Sequence, residues 1–277
     1  MKQYRYAAVL TIAGSDSGGG AGIQADIKTM SALGCYATSA ITAITVQNTL
    51  GVTGIHSVPA DIVRGQVDAV MTDIQPQAIK IGMVHSAALA VTLADALGAY
   101  PEVPVVLDPV MISTSGHKLI EDETINLLKE RLFPLAALIT PNLDEAAVLC
   151  GRPLQSVEDM KQAADLLLQT GCSAVLIKGG HLKGEKVYDV YKSFEGEELV
   201  LESDWIDSRN VHGTGCTLSS AIASYLALGN GLQQSVMLAK AYITEAIAAG
   251  SNVVTGKGSG PLNHFFQPQQ LQKYAME

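Results

Sequence analysis

Along the chain, short apolar runs alternate with segments whose apolar residues recur every three or four positions. Residues 6–13 form the first apolar run. Beyond a cluster of glycines, Ile23, Ile27, Met30 and Leu33 fall on one helical face, and Gly34 stops that helix. Residues 36–46 are rich in β-branched side chains and end at Gln47-Asn48, and residues 60–71, entered from Pro59, have helical spacing. The same reading predicts strands at 78–83, 103–107, 136–139 and 174–177, and helices at 86–97, 121–132, 143–149 and 157–168. The pattern then changes. Residues 186–193 and 198–203 alternate residue by residue around Glu195-Gly196, as an antiparallel hairpin does. Helices at 215–228 and 232–249 follow.

Strands that are apolar throughout require cover on both faces. Alternating with helices, they predict an α/β fold of three layers, a mostly parallel central sheet flanked by helices. No Pro/Ser-rich linker, charge run or internal repeat interrupts the pattern, so residues 1–277 are expected to form a single domain.

Composition narrows the function. The formal net charge is −9 and no stretch clusters Lys and Arg, which argues against a nucleic-acid footprint. No apolar run approaches the roughly 20 residues that span a bilayer. Lys2 and Arg5 ahead of the run at 7–13 resemble the start of a signal peptide, but Gly14-Ser15-Asp16-Ser17-Gly18-Gly19-Gly20 follows without a cleavage pattern. A buried strand running into a loop is expected instead. Cys35, Cys150, Cys172 and Cys216 are far apart with no Cys-x-x-Cys spacing, so a reduced, cytoplasmic setting is expected.

The unusual residues fall in one kind of place. Gln47, Met83, Asp108, Asn142 and Lys178 each stand just past the C-terminal end of a predicted strand, the edge outside which open α/β sheets bind ligands. The glycine-rich loop at 14–22 loosely matches a dinucleotide fingerprint, but Gln47-Asn48 stands where the ribose-binding acid belongs, and no Gly-Lys-Ser/Thr follows for a phosphate loop of the Walker type. Close approach of backbone to a substrate suits the loop better. Asp26 lies one turn into the helix beyond it.

Gly213-Thr214-Gly215-Cys216 is the sharpest segment. A glycine turn entering an apolar helix aims several backbone N–H groups at one spot, an anion hole for a transferring phosphoryl group. Cys216 would sit in the first helical turn, where a thiol pKa is lowered and the sulfur can act as base or nucleophile. Lys178 at an apolar strand end needs an anion, and a phosphate is the natural partner. Asp108 and Glu145 are candidate partners, through water, for a magnesium ion.

These segments occur together with others in an order that resembles the bacterial hydroxymethylpyrimidine phosphate kinases of thiamine synthesis. They are the stretch from Gly14 to Asp26, Gln47-Asn48-Thr49, Lys80-Ile81-Gly82-Met83, Leu107-Asp108-Pro109-Val110-Met111, Thr140-Pro141-Asn142-Leu143 with Glu145-Ala146, Lys178-Gly179-Gly180-His181, His212-Gly213-Thr214-Gly215-Cys216, and Gly256-Lys257-Gly258-Ser259-Gly260-Pro261 with His264-Phe265. The resemblance covers about residues 7–266. It implies a ribokinase-like fold, usually a cytoplasmic homodimer, that phosphorylates hydroxymethylpyrimidine and then its monophosphate with ATP and Mg²⁺. The implied substrate contacts are Gln47, Asp26, Gly14, Met83 and Val110. Asp108, Asn142, Glu145 and Lys178 are implied on the nucleotide and metal side, and Gly213, Thr214, Gly215, Cys216 and Lys178 as the catalytic group. Cys216 stands where most ribokinase relatives have an Asp and where pyridoxal kinases typically do, which favours the pyrimidine; a Cys-bearing subgroup that also accepts pyridoxal keeps that activity open. The other readings are a non-catalytic pyrimidine-binding protein and, against the missing ribose acid, an NAD-dependent oxidoreductase. A second copy is expected to cover the apolar face of the hairpin at 186–203.

Overall fold

Apolar strands demand cover, and the chain supplies it with helices on each face of one sheet. The computed structural model describes residues 2–111, 120–180 and 185–276; His181, the last residue of the Lys-Gly-Gly-His motif, lies outside them. In chain order the elements are β1 (Tyr4–Tyr6), β2 (Ala8–Asp16), α1 (Gly22–Ala32), β3 (Tyr36–Asn48), β4 (Gly51–Ser57), α2 (Ala60–Asp73), β5 (Ala78–Ile81), α3 (Ala87–Leu97), β6 (Val105–Leu107) and α4 (Asp122–Leu127). They continue as β7 (Leu138–Ile139), α5 (Leu143–Cys150), α6 (Val157–Leu168), β8 (Ala174–Ile177), β9 (Lys186–Ser193), β10 (Glu198–Asp204), α7 (Thr214–Ala227), α8 (Leu232–Gly250) and β11 (Lys273–Ala275).

The main sheet has nine strands in the order β10-β9-β8-β7-β6-β5-β2-β3-β4. The six from β8 to β3 run parallel, while β4, β9 and β10 are antiparallel additions at the two edges. Side chains alternate across this sheet. Leu10, Ile12, Ile79, Ile81, Val105 and Leu107 face a core shared with α2, α3, α5 and α6. Val9, Ala78, Val106 and Leu176 face the opposite core, shared with α1, α7 and α8. The three layers expected from the sequence are therefore present. Ser86 and Ser156 cap α3 and α6 by accepting from the backbone N–H groups of Leu89 and Asp159, which is why those helices start where they do.

The structure departs from the sequence pattern at the edges. The sequence shows no strand at β4, whose two glycines and exposed side chains obscure its alternation, and it shows neither β1 nor β11, which pair only with each other and join the two ends of the chain. The predicted helix at 121–132 is α for its first half only; residues 128–132 continue as a wider π turn. The hairpin forms as expected, but β9 joins β8, and Leu199 and Leu201 of β10 pack on the chain's own α8-side core. Those two side chains are only partly buried, and Phe194 and Val200 of the hairpin stay exposed. Exposed apolar side chains also gather on the β3–β4 edge, at Ile44, Val46, Leu50 and Ile55.

Candidate active site

Parallel strands end at one edge, so the loops after β2, β3, β5, β6, β7 and β8 meet along a single rim. There they enclose a cavity of about 650 Å³. Gly14, Gln47, Met83, Val110, Asp108, Asn142, Glu145, Lys178 and the turn from Gly213 to Cys216 all line it. Residues up to 202 positions apart in the chain are thus brought to one place. Asp26 is the exception among the expected site residues: it is fully buried beneath the site and does not line the cavity.

Across the middle of the rim lies the start of α7. Gly213 caps it with φ 84°, in the left-handed region that favours glycine, and a Cβ there would lie 1.8 Å from the Gly20 carbonyl oxygen. Thr214, Gly215 and Cys216 are the first three helical residues; the Thr214 N–H donates to the Val211 carbonyl oxygen at 3.3 Å, and those of Gly215 and Cys216 have no carbonyl one turn earlier within the helix. Gly215 keeps this turn open: a Cβ would lie 3.2 Å from Lys178 Nζ and 3.4 Å from Asp108 Oδ2. The lysine, the carboxylate and the helix N-terminus therefore converge on one small volume.

Lys178 donates to Asp108 Oδ1 at 2.7 Å, and Thr140 donates to the same oxygen at 3.1 Å. Burial pushes the Lys178 ammonium down, but Asp108 and Glu145 outweigh it and hold the group above its ordinary value. Asn142 and Glu145 form a reciprocal cap on α5, with Glu145 N–H donating to Asn142 Oδ1 at 2.9 Å and Asn142 N–H donating to Glu145 Oε2 at 2.8 Å. The Glu145 carboxyl is nonetheless pushed up to about 7, by burial first and by the neighbouring Asp108, with Lys178 acting against both. Behind Lys178, Asp189 accepts from the Gly179 N–H at 2.8 Å and pairs with Lys240 at 2.7 Å, fixing the lysine's loop to α8.

Cys216 overturns an expectation. Its thiol is not lowered but pushed up to about 11, by burial first, with Asp26 and Asp108 adding to the rise and Lys80 opposing it. A helix N-terminus favours a thiolate, but here desolvation and two carboxylates prevail. Directly below, Lys80 is fully buried and donates to both oxygens of Asp26, at 2.9 and 2.8 Å. Burial pushes the Lys80 ammonium down, and the Asp26 carboxylate more than reverses that. Thr11 and Ser220 also donate to Asp26. Asp26 is thus a counterion within the core, not the substrate contact the resemblance implied. The sequence carries a signal for this pair: a lysine in the apolar run Ala78-Ile79-Lys80-Ile81 must meet an anion inside the protein.

At the β2–β3 end the groups are polar. Asp16 accepts from the N–H groups of Gly18, at 2.8 Å, and of Gly20 and Ala21, at 3.0 and 2.8 Å, and so shapes the glycine loop. Its other oxygen neighbour is His212 Nε2, 2.9 Å from Oδ2. Burial pushes Asp16 up, but the bonds from His212, Ala21 and Gly18 hold it below the ordinary carboxylate value. Gln47 lies 3.3 Å from His212 Nε2 and 3.1 Å from Thr45 Oγ1. Gly14 makes room for Met83, whose Cε would be 2.7 Å from a Cβ at position 14. The opposite end of the cavity carries an apolar wall of Trp205, Ile206, Ile243 and Ile247, with Asp204, Lys240 and Thr244 of the same segments also lining it. Sequence reasoning assigned no role to Asp16, His212, Lys80 or this apolar wall.

Comparisons with known proteins agree with this geometry. The sequence profile of the family described as phosphomethylpyrimidine kinase matches residues 16–263. A hydroxymethylpyrimidine/phosphomethylpyrimidine kinase of Rhizobium meliloti is 51% identical over 261 residues, 94% of this chain and 97% of that one. The crystal structure of a phosphomethylpyrimidine kinase from Clostridium difficile matches with a TM-score of 0.77 at 47% identity, covering 87% of this chain and 99% of that one. A pyridoxal kinase of Staphylococcus aureus, solved with AMP-PCP and pyridoxal, matches with a TM-score of 0.85 at 33% identity, covering 98% and 99%.

Proposed function

The chain belongs to the phosphomethylpyrimidine kinase family, and on that premise we propose that it transfers the γ-phosphoryl group of ATP to hydroxymethylpyrimidine and then to its monophosphate, a step of thiamine biosynthesis. The observation that carries this reading is the convergence of Lys178, Asp108 and the N-terminus of α7 midway along a cleft with Gln47 and His212 at one end and the apolar wall of Trp205, Ile206, Ile243 and Ile247 at the other. The polar end, with Gln47, suits the edge of the pyrimidine, and the wall from Trp205 to Ile247 suits the flat face of a nucleotide base. The middle then meets the phosphates.

Phosphoryl transfer asks little covalent chemistry of a protein, and catalysis is mainly positioning and stabilisation of charge on the transferring oxygens. The first-turn N–H groups of α7 and the Lys178 ammonium supply that stabilisation. The high thiol pKa of Cys216, about 11, favours a role in which its backbone N–H holds the phosphoryl group and its protonated side chain shapes the pocket.

A magnesium ion is part of the same reading. Asp108 and Glu145 both lie beside Lys178; burial drives Glu145 up to about 7 and Asp108 adds to the rise, so a cation brought between the two carboxylates would favour their ionised forms. Among the described residues no cluster of three or more His, Cys, Asp or Glu side chains could hold a metal alone. Magnesium, which keeps several waters and is bound through one or two carboxylates plus substrate phosphates, suits such a site. Asp108 and Glu145 would hold it, and it would supply charge neutralisation to the phosphates.

We also infer a homodimer in the cytoplasm. The exposed apolar side chains on the β3–β4 edge support association, and the absence among the described residues of any helix long and apolar enough to cross a membrane accords with a protein that works in solution. Pyridoxal is the second substrate to test, since a pyridoxal kinase shares this fold over 98% of the chain. The test is ADP release, with product masses, from purified protein given ATP, magnesium and each of hydroxymethylpyrimidine, its monophosphate and pyridoxal. Both pyrimidines should turn over; turnover of pyridoxal alone would replace the reading with the second one, and turnover of none would remove it.

A further inference from the structure

We propose that Asp16 and His212 are positioning residues that act through Gln47. They hold its amide with Oε1 towards His212 and Nε2 towards Thr45, so that the substrate meets one fixed order of donor and acceptor. The inference deepens the reading above and rests on it for the identity of the substrate.

The amide of a glutamine looks the same in outline after a half-turn, and only its hydrogen-bond network tells oxygen from nitrogen. Here the network decides. The Asp16 carboxylate already accepts three backbone N–H groups, and its oxygens can only accept in the ionised form that those bonds favour. His212 Nε2, 2.9 Å from Asp16 Oδ2, must therefore bring the proton to that contact. The same Nε2–H faces the end of Gln47 at 3.3 Å, and one orientation of the amide puts its nitrogen there. Two donors would then oppose each other.

A second, independent conflict lies at the other end of the amide. The Thr45 hydroxyl has one proton, and it is 2.8 Å from the Ser15 carbonyl oxygen, which can only accept. With the proton committed there, Thr45 Oγ1 offers a lone pair to the end of the Gln47 amide 3.1 Å away, and the same orientation puts the amide oxygen there. Turning the amide by half a turn resolves both conflicts at once. Gln47 Oε1 then shares the His212 Nε2–H in a three-centre bond whose shorter arm goes to Asp16, and Gln47 Nε2 donates to Thr45.

The surrounding backbone leaves His212 little freedom to respond otherwise. A Cβ at Gly20 would lie 2.4 Å from His212 Cδ2, and one at Gly213 would lie 1.8 Å from the Gly20 oxygen, so the glycine loop and the loop before α7 are interlocked. The remaining N–H and lone pair of Gln47 then face the cavity in a set order. That order fits a ring nitrogen beside an exocyclic amino group, an acceptor next to a donor. A ring lacking that pair leaves Gln47 unsatisfied, which is how a binding site rejects an analogue.

Two measurements test this. In the ligand-free protein, long-range proton–nitrogen NMR on labelled histidine should show His212 Nε2 protonated; an unprotonated Nε2 overturns the proposal whatever the substrate. In kinetics, His212→Leu should raise the hydroxymethylpyrimidine KM about tenfold, the scale of one lost buried partner. Its kcat and ATP KM should stay within about twofold, because the phosphoryl site is untouched. His212→Gln, which keeps an N–H near the same point, should recover most of the loss. A double variant with Gln47→Leu should be no worse than Gln47→Leu alone, since a residue acting only through another adds nothing once that other is gone. Additive losses, or a fall in kcat with KM unchanged, overturn the inference. If the wild-type protein fails to turn over the pyrimidine, the functional reading falls, and the NMR result still decides the amide's orientation.

Discussion

Replacing Asp26 by alanine would strand a lysine in the core. Lys80 and Asp26 both have fully buried side chains, joined at 2.8 Å, and the same carboxylate receives the hydroxyls of Thr11 and Ser220. Removing one partner of a buried ion pair costs about 3–5 kcal/mol, because the remaining charge has neither water nor counterion. Against a total stability of about 5–15 kcal/mol, that is a large fraction. Asp26→Ala should therefore lower the urea midpoint sharply with the denaturant slope unchanged. Replacing both residues by apolar ones, Asp26→Leu with Lys80→Met, should recover part of the loss, since apolar replacement of a buried pair is often close to neutral while the Thr11 and Ser220 hydroxyls still lose their acceptor. The assay is equilibrium unfolding of the wild type, the two single variants and the double variant, combined with the pyrimidine KM of whichever variants remain folded. If Asp26→Ala unfolds like the wild type and instead raises KM, then Asp26 is the substrate contact the resemblance implied, and the buried-pair argument is wrong.

Lys178→Ala should lower kcat by roughly 10²–10³-fold, the scale of losing one charge-stabilising donor, with a much smaller change in pyrimidine KM; steady-state kinetics near the wild-type kcat would refute it. Cys216→Ala should leave both phosphorylation steps within about tenfold of wild type, whereas loss of a general base would cost roughly 10²–10⁴-fold in the first step, where a hydroxyl must lose its proton. Glu145 has a folded pKa of about 7 against an ordinary 4.5, so the folded state binds its proton more tightly than the unfolded state does. Between those values the folded form holds more protons, and stability falls as pH rises, by at most about 1.4 kcal/mol per pH unit. Glu145→Gln should flatten that slope in pH-dependent urea unfolding of the ligand-free protein, and an unchanged slope would count against the shift.

Much of the fold and most of the site were legible along the chain. Strand and helix periodicities are set by neighbours two to four positions apart, so β5, α3, α6 and β8 could be read locally. Because parallel strands share a direction, knowing which residues stand at or just past each strand's C-terminal end was enough to gather Gln47, Asp108, Asn142 and Lys178 at one rim, although β3 runs on through Gln47 to Asn48. The turn at Gly213 was legible for a similar reason, since a glycine entering a helix has a local conformational cause. Tertiary structure alone decided the rest. Asp26 and Lys80 are 54 positions apart, and Asp16 and His212 are 196 apart; no short-range pattern couples them. Whether a carboxylate is a ligand contact or a buried counterion depends on which side of the sheet it faces and what packs over it. The Cys216 thiol shows the same dependence: its place at a helix N-terminus was readable and argued for a low pKa, but burial and the carboxylates around it come from elements far away in sequence, and they raise it. The sequence determined where each element and each reactive group would lie along the rim, because those depend on local geometry; the folded chain determined their charge states and partners, because desolvation and Coulomb interactions depend on everything nearby in space.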